Sequence, residues 1–410
     1  MAATTKKNGK TVVVALGGNA ILQPGQVGTF EEQLFNIDTA MRRIAELVED
    51  GWRVVLTHGN GPQVGNLLIQ NALASKTVAP MPMDVCGAMS QGEIGYMAAQ
   101  TLANHLAKRK LEMPVVTVVT QVAVDAKDPA FAAPSKPVGP FYSEAEAKKM
   151  MLEEGTAMRE DAGRGWRRVV PSPEPMEIVE LEAIRDLVDG GVLVVCSGGG
   201  GVPVVRSRGA LSGIDAVIDK DLAAALLAAK LGAEALLILT DVPQAYVHYN
   251  TPEQRALSTV SVAEMEGYAA EGHFKAGSMG PKVAACLRFA RAGGDSVIAS
   301  LTEVVPALQG TAGTRIVGAP GGKAKAAATG AGTGGTKAAG GKAKPSGKTR
   351  TGGKSRAGGK AAGSAGTPKA GGTKKAAGTK KATGHKAGPS AGAQVIDIGV
   401  ARRRASGGRS

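Results

Sequence analysis

Apolar positions recur along the chain in two rhythms. Short runs rich in β-branched residues fall at Thr11–Leu16, Arg53–Thr57, Val115–Thr120, Val192–Cys196, Ala235–Thr240 and Ser296–Ser300. They alternate with segments whose apolar residues step by three or four, which predicts a mostly parallel sheet covered on both faces. Leu34, Ile37, Met41, Ile44 and Leu47 are one such segment, an amphipathic helix ended at Gly51. Asn60-Gly61-Pro62 opens another, with Pro62 suited to the first helical position. The rhythm breaks over Val124–Pro175, which is rich in proline, glycine and charge. An excursion of that length reads as a small subdomain or lid, with a linker as the alternative. Phe131, Phe141, Tyr142 and Trp166 are its candidate anchors.

Past Gly318 no rhythm remains. Residues 321–410 hold 20 of the 49 Lys and Arg, one of the 35 Asp and Glu, and no Phe, Trp or Tyr. The tail is therefore +19 and residues 1–320 are −5, so the whole-chain charge of +14 belongs to the tail. Such a composition cannot bury enough apolar surface to offset chain entropy, and disorder is expected for 319–410. The expected organisation is a catalytic domain at 1–318 that includes a protruding 124–175, followed by the tail.

Cys86, Cys196 and Cys286 are odd in number and widely spaced, which fits a reducing compartment better than a disulfide framework. Val12–Leu16 is too short for the apolar part of a signal peptide. No apolar stretch reaches the roughly 20 residues that span a bilayer. A soluble, cytoplasmic protein is expected.

Candidate chemistry lies in four glycine-rich turns, each read as following a strand: Leu16–Asn19, His58–Gly61, Ser197–Gly201 and Lys275–Lys282. Glycines let backbone N–H groups approach an anion, and a following helix N-terminus adds its positive dipole. In an open parallel sheet such turns gather at the carboxyl ends of the strands. None matches G-x-G-x-x-G, and Gly347-Lys348-Thr349 lacks both the first glycine and the strand of a phosphate-binding loop. Val217–Leu222 opens an Ala- and Leu-rich helix. Asp219 caps it, but Lys220 is a cation at the unfavourable end, which makes sense beside a phosphate. Lys282 occupies a comparable place. With no G-x-S-x-G, H-E-x-x-H or clustered Cys/His ligands, phosphoryl transfer by positioning and charge stabilisation is the reading that fits. His58 is a local hydrogen-bonding residue rather than a base.

At these residues the chain resembles the carbamate kinases of the amino acid kinase family. The resemblance rests on Ala15–Ala20, Thr57–Gly65, Gly87–Gly92, Lys136–Tyr142, Arg168–Pro173, Asp219–Ala223 and Gly277–Lys282, and runs over roughly residues 10–318. It implies a three-layer αβα sandwich with an open, mostly parallel central sheet, and a homodimer. The implied reaction is reversible and Mg2+-dependent: ATP and carbamate give ADP and carbamoyl phosphate, in arginine catabolism with ATP formation. Carbamate or phosphate would lie against Gly17, Gly18, Asn19, Gly59, Asn60 and Gly61. The nucleotide would sit near Asp219, Lys220, Asp241, Tyr246, Gly277, Ser278, Met279 and Lys282. Lys136, Lys220, Asp221 and Lys282 would be catalytic, with Asp221 orienting the lysines and no protein-held metal. Where many relatives carry a lysine before the first Gly-Gly turn this chain has Ala15, and Lys136 on the lid would restore the charge. Arg164, Arg167 and Arg168 would meet phosphate or form a solvated face. The tail, similar to linker-histone arms, would bind nucleic acid or another polyanion, or serve as a solubilising extension. The rival readings are an amino acid kinase with a larger carboxylate acceptor, and a nucleic-acid-binding protein with a relic kinase domain.

Overall fold

Every residue of the first strand is buried, and its side chains divide by parity between two cores: Val13 and Ala15 enter one, Val12, Val14 and Leu16 the other. Successive strand side chains point to opposite faces, so a strand apolar at every position must be covered on both. The computed structural model describes residues 9–161, 165–275 and 278–318, all within one compact unit. Ala276, Gly277, Arg164 and the tail, with the expectations attached to them, lie outside the described residues.

Eight strands form the central sheet: β1 (Thr11–Leu16), β2 (Arg53–His58), β3 (Val115–Thr117), β4 (Leu193–Val195), β5 (Ala235–Thr240), β6 (Thr259–Ser261), β7 (Asp295–Ser300) and β8 (Thr314–Val317). Their order is β6-β8-β7-β5-β1-β2-β4-β3, and neighbours run parallel except β7 and β8. The parity rule of β1 repeats in β5, where Leu236 and Ile238 face one core and Leu237 and Leu239 the other.

The helices are α1 (Phe30–Glu49), α2 (Gly61–Ala74), α3 (Met83–Lys108), α4 (Glu144–Glu154), α5 (Leu181–Asp189), α6 (Lys220–Leu231), α7 (Val262–Ala270), α8 (Met279–Arg291) and α9 (Val304–Gln309). α1, α3 and α9 cover one face of the sheet, and α5 to α8 cover the other. This is the three-layer αβα arrangement. α1 starts at the Thr29–Glu32 capping box, ahead of the first apolar step, because those two side chains satisfy its free N–H groups.

The structure corrects three expectations. Val115–Thr120 is too long: β3 ends at Thr117, and Gln121–Ala123 joins a separate four-stranded sheet with 202–207, 210–213 and 177–178. The fourth glycine turn follows α7 rather than a strand, since the short edge strand β6 hands directly to that helix. Within 124–175, Val124 already belongs to the main core, and the projecting part begins at Lys136. There Lys136–Tyr142, Trp166–Val170 and Met158–Glu160 form an antiparallel sheet beside α4. Its buried residues are the aliphatic Val138, Ala147, Met158, Val169 and Val170. The expected aromatic anchors do not supply that core: Phe131 packs on the main core, and Phe141 is 45% exposed.

Candidate active site

α6 begins where its sequence requires a cap. Asp219 is extended, and its Oδ1 accepts hydrogen bonds from the backbone N–H groups of Asp221 (2.9 Å) and Leu222 (3.4 Å). Its other oxygen, Oδ2, accepts from Lys136 Nζ at 2.8 Å, although 83 positions separate the two in sequence. Asp221, two residues on, divides its carboxylate between two ammonium groups: Lys220 Nζ at 2.5 Å from Oδ1 and Lys282 Nζ at 3.1 Å from Oδ2. Lys282 stands in the first turn of α8, which packs beside α6. The misplaced cation at the start of α6 is thus explained by its neighbour's carboxylate.

Depth separates these groups. The Asp221 side chain is 5% exposed, and those of Lys220 and Lys282 are each 14% exposed. Lys136 is 36% exposed. Burial pushes the Asp221 carboxyl up, but the charges and hydrogen bonds of Lys220 and Lys282 outweigh it and hold the pKa at about 2. Burial lowers the Lys220 ammonium, aided by the charge of Lys282 and opposed by Asp221. An anion seated beside Lys220 favours its charged form, so ligand and lysine reinforce each other.

Two clefts border this cluster, and Lys282 is its member common to both. One, of about 360 Å3, is lined by Gly59, Asn60 and Gly61 together with Lys136, Lys220 and Lys282. The second, of about 580 Å3, runs past Gly17, Gly18, Asn19, Asp241 and Ser300–Thr302. Gly18, Ser278 and Lys282 line both. Asn19 Nδ2 donates to Asp241 Oδ2 at 3.2 Å across the second cleft.

Most residues singled out in the sequence therefore converge. Tyr246 and Met279 do not: Tyr246 lies in a short hairpin with its ring 5.9 Å from that of Tyr249, and Met279 packs against the core. Neither lines either of these two clefts.

The glycine turn at Ser197–Gly201 is also mostly structural, for Ser197 through Gly200 are buried. A Cβ on Gly198 would collide with the His58 imidazole, and one on Gly199 with the Asn60 side chain. These glycines let the turn pack against its neighbours, and Gly199 alone reaches the cleft. His58 is 2% exposed, with Nδ1 2.8 Å from the Gly59 carbonyl. Burial lowers its pKa to about 4, partly countered by that contact. It holds the turn and does not face the cleft.

Ser90 was missed as an individual residue; its Oγ accepts from Asn60 Nδ2 at 2.8 Å and orients that side chain. Ser300 and Thr302 were missed too, because a strand end looks alike in sequence whether or not a ligand crosses it.

The amino acid kinase family matches residues 10–300. The chain belongs to the amino acid kinase family, among its carbamate kinases. A carbamate kinase of Thermococcus kodakarensis is 55% identical over 312 residues, 75% of this chain and 99% of the relative. One from Pyrococcus horikoshii is 54% identical over 308 residues, 74% of this chain and 98% of its own length. A solved carbamate kinase from Giardia lamblia, bound to AMP-PNP, superposes with a TM-score of 0.73 at 50% identity, covering 76% of this chain and all of that one. A carbamate kinase needs two adjacent anion sites, and two clefts that share Gly18, Ser278 and Lys282 have that form.

Proposed function

We propose that this chain transfers a phosphoryl group reversibly between ATP and carbamate, using Lys136, Lys220 and Lys282 to absorb the charge. The observation that carries the reading is the convergence of these three ammonium groups on the smaller cleft, with Lys282 lining the larger one as well. The 360 Å3 cleft takes carbamate against the 59–61 turn and Gly18, and the larger one takes the nucleotide along Asp241 and Ser278. A carbamate oxygen attacks the terminal phosphorus while the bond to the bridging oxygen breaks and ADP departs. The attacking oxygen is already ionised, so no general base is needed, which agrees with a buried His58 beside the site. Negative charge spread over the transferring group is met by the lysines and by the first-turn N–H groups of α6 and α8. Asp221 fixes Lys220 and Lys282, and Asp219 holds Lys136.

Among the described residues no group of three His, Cys, Asp or Glu gathers to hold a metal. This donor set fits Mg2+ carried by the nucleotide, which commonly keeps its waters and takes only one or two carboxylates. Asp241, whose side-chain partners are Asn19 and Thr240, is the carboxylate placed to meet it. When bound, the ion neutralises phosphate charge.

The test supplies carbamoyl phosphate and ADP and measures ATP formation. ATP production that falls at least about 100-fold in Lys220→Ala and in Lys282→Ala is expected for loss of one charge-stabilising donor. Absence of ATP formation by the unaltered chain refutes the reading.

Three further assignments are proposed with it. The catalytic domain ends near 318 and includes the 124–175 stretch, of which the part from Lys136 onward forms the small sheet. Two such domains pair as a homodimer in the cytoplasm, supported by Val85, Met89 and Tyr96, exposed on one face of α3. Among the described residues no helix is long and apolar enough to cross a membrane. The basic segment 321–410 binds polyanions such as nucleic acid through its 20 Lys and Arg, without base stacking. Retention on immobilised DNA, compared with a chain ending at Gly318 across a salt series, tests that last assignment.

A further inference from the structure

Arg167 neither meets a phosphate cleft nor forms a solvated face. It lies on the middle strand of the three-stranded sheet, and its side chain is 21% exposed. Nε and Nη2 both donate to the Gly139 carbonyl, at 3.2 and 3.1 Å, and Nη1 donates to Asp161 Oδ2 at 3.2 Å. The guanidinium carbon stands 5.1 Å from the centre of the Phe141 ring. One planar fork thus spans the adjacent strand and the loop at the end of the other, which a lysine cannot do with a single ammonium.

The carbonyl it grips is a special one. Gly139 has φ +73° and sits where the register between Lys136–Tyr142 and Trp166–Val170 shifts. Such a bulge leaves backbone groups outside the ladder and bends the strand, so something else must fix its shape. This bulge is also where the hairpin meets the main body. A Cβ on Gly65 of α2 would lie 3.4 Å from Gly139 Cα, and Val138 packs with Val170, Met83, Leu68 and Val217. Lys136 is three residues upstream of Gly139 on the same strand.

We infer that Arg167 is a positioning residue for Lys136: by clamping the Gly139 bulge it sets where the hairpin lies on α2, and so where the Lys136 ammonium falls in the cleft. The inference rests on the proposed role of Lys136 in phosphoryl transfer. A shift of about 1 Å in a charge-stabilising group can cost on the order of 100-fold in rate. A loosened rather than removed lysine should cost less.

The experiment is a double-mutant cycle on the full chain, read as carbamoyl phosphate-dependent ATP formation. Arg167→Gln is expected to lower kcat about 10-fold, with KM for ADP changed less than about two-fold, because its contacts act on the hairpin and not on the nucleotide cleft. In a Lys136→Ala background the same change should lower kcat no further. Arg167→Lys, which keeps the charge and one donor to Gly139, should fall between the two. An equal loss from Arg167→Gln with and without Lys136 overturns the inference, as does full turnover in Arg167→Gln. Should Arg167→Gln fail to fold, the same cycle with Arg167→Lys decides by the same criterion. If Lys136→Ala alone keeps normal turnover, the functional role of Lys136 is what fails, and the inference falls with it.

Discussion

Lys220 and Lys282 reach the cleft from α6 and α8, helices that cover the central sheet, whereas Lys136 reaches it from a small sheet outside the main body. The first pair shares one carboxylate at 5% exposure. The third has a carboxylate of its own and is 36% exposed. The same ion pairing therefore serves two purposes. Inside, charges taken from water are tolerable only because each finds a fixed partner, so the Lys220–Asp221–Lys282 group is as much a structural unit as a functional one. Outside, Lys136 is open to water, and Asp219, 13% exposed, keeps its cap hydrogen bonds to α6 without it, so their pairing adds little to stability and the position of Lys136 depends on how its hairpin is held.

Asp221→Asn attacks the buried side of this contrast and has the largest expected effect. It leaves Lys220 and Lys282 without their charge partner, so unfolding should be easier by about 3–5 kcal/mol in denaturant titration. Turnover should fall by at least about 100-fold. The same variant carries a pH signature. In the folded protein the Asp221 pKa lies at about 2, below its ordinary 3.8, so its ionisation stabilises the fold above about pH 4 and that stability is lost as pH falls towards 2. The acid limb of a stability–pH curve should flatten there in Asp221→Asn.

Lys136→Ala probes the exposed side. Turnover should again drop by about 100-fold, but stability should change by less than about 1 kcal/mol. A Lys136→Ala protein as unstable as Asp221→Asn erases the distinction between the two regions.

His58 sharpens the comparison at intermediate pH. Burial leaves its folded pKa at about 4 against an ordinary 6.5. The unfolded chain takes up a proton that the folded one refuses, so stability should decline as pH falls from 6.5 to 4. Thermal melts across that range should show a shallower decline in His58→Gln, whatever its starting stability.

Ending the chain at Gly318 is the mildest change, because the family match ends at residue 300. A coupled assay should find kcat unaltered, and a large loss would tie the tail to catalysis.

The layered sheet was readable because its signal is local. Val12–Leu16 and Ala235–Leu239 are apolar at consecutive positions, and a strand of that kind has to be buried on both faces wherever it lies. The Asp219 cap was equally readable, since its hydrogen bonds go to residues two and three positions ahead. Tyr246 and Met279 were assigned to the nucleotide by resemblance alone, since nothing in their local pattern marks a ligand contact. The glycines at 198–201 looked like an anion cradle because close packing and close approach to a ligand impose the same demand for a missing Cβ.

By itself, then, the sequence determined the strand and helix rhythm, the caps, the acidic body with its basic extension, and the kind of residues available for phosphate chemistry. Tertiary structure decided that Lys136 meets Asp219, that Lys220 and Lys282 share Asp221, and that Arg167 grips Gly139 instead of a phosphate. Periodicity reports what a residue's near neighbours force upon it. A charge cluster assembled from residues 136, 219–221 and 282 depends on which strands lie side by side, and that order arises only when the two cores close.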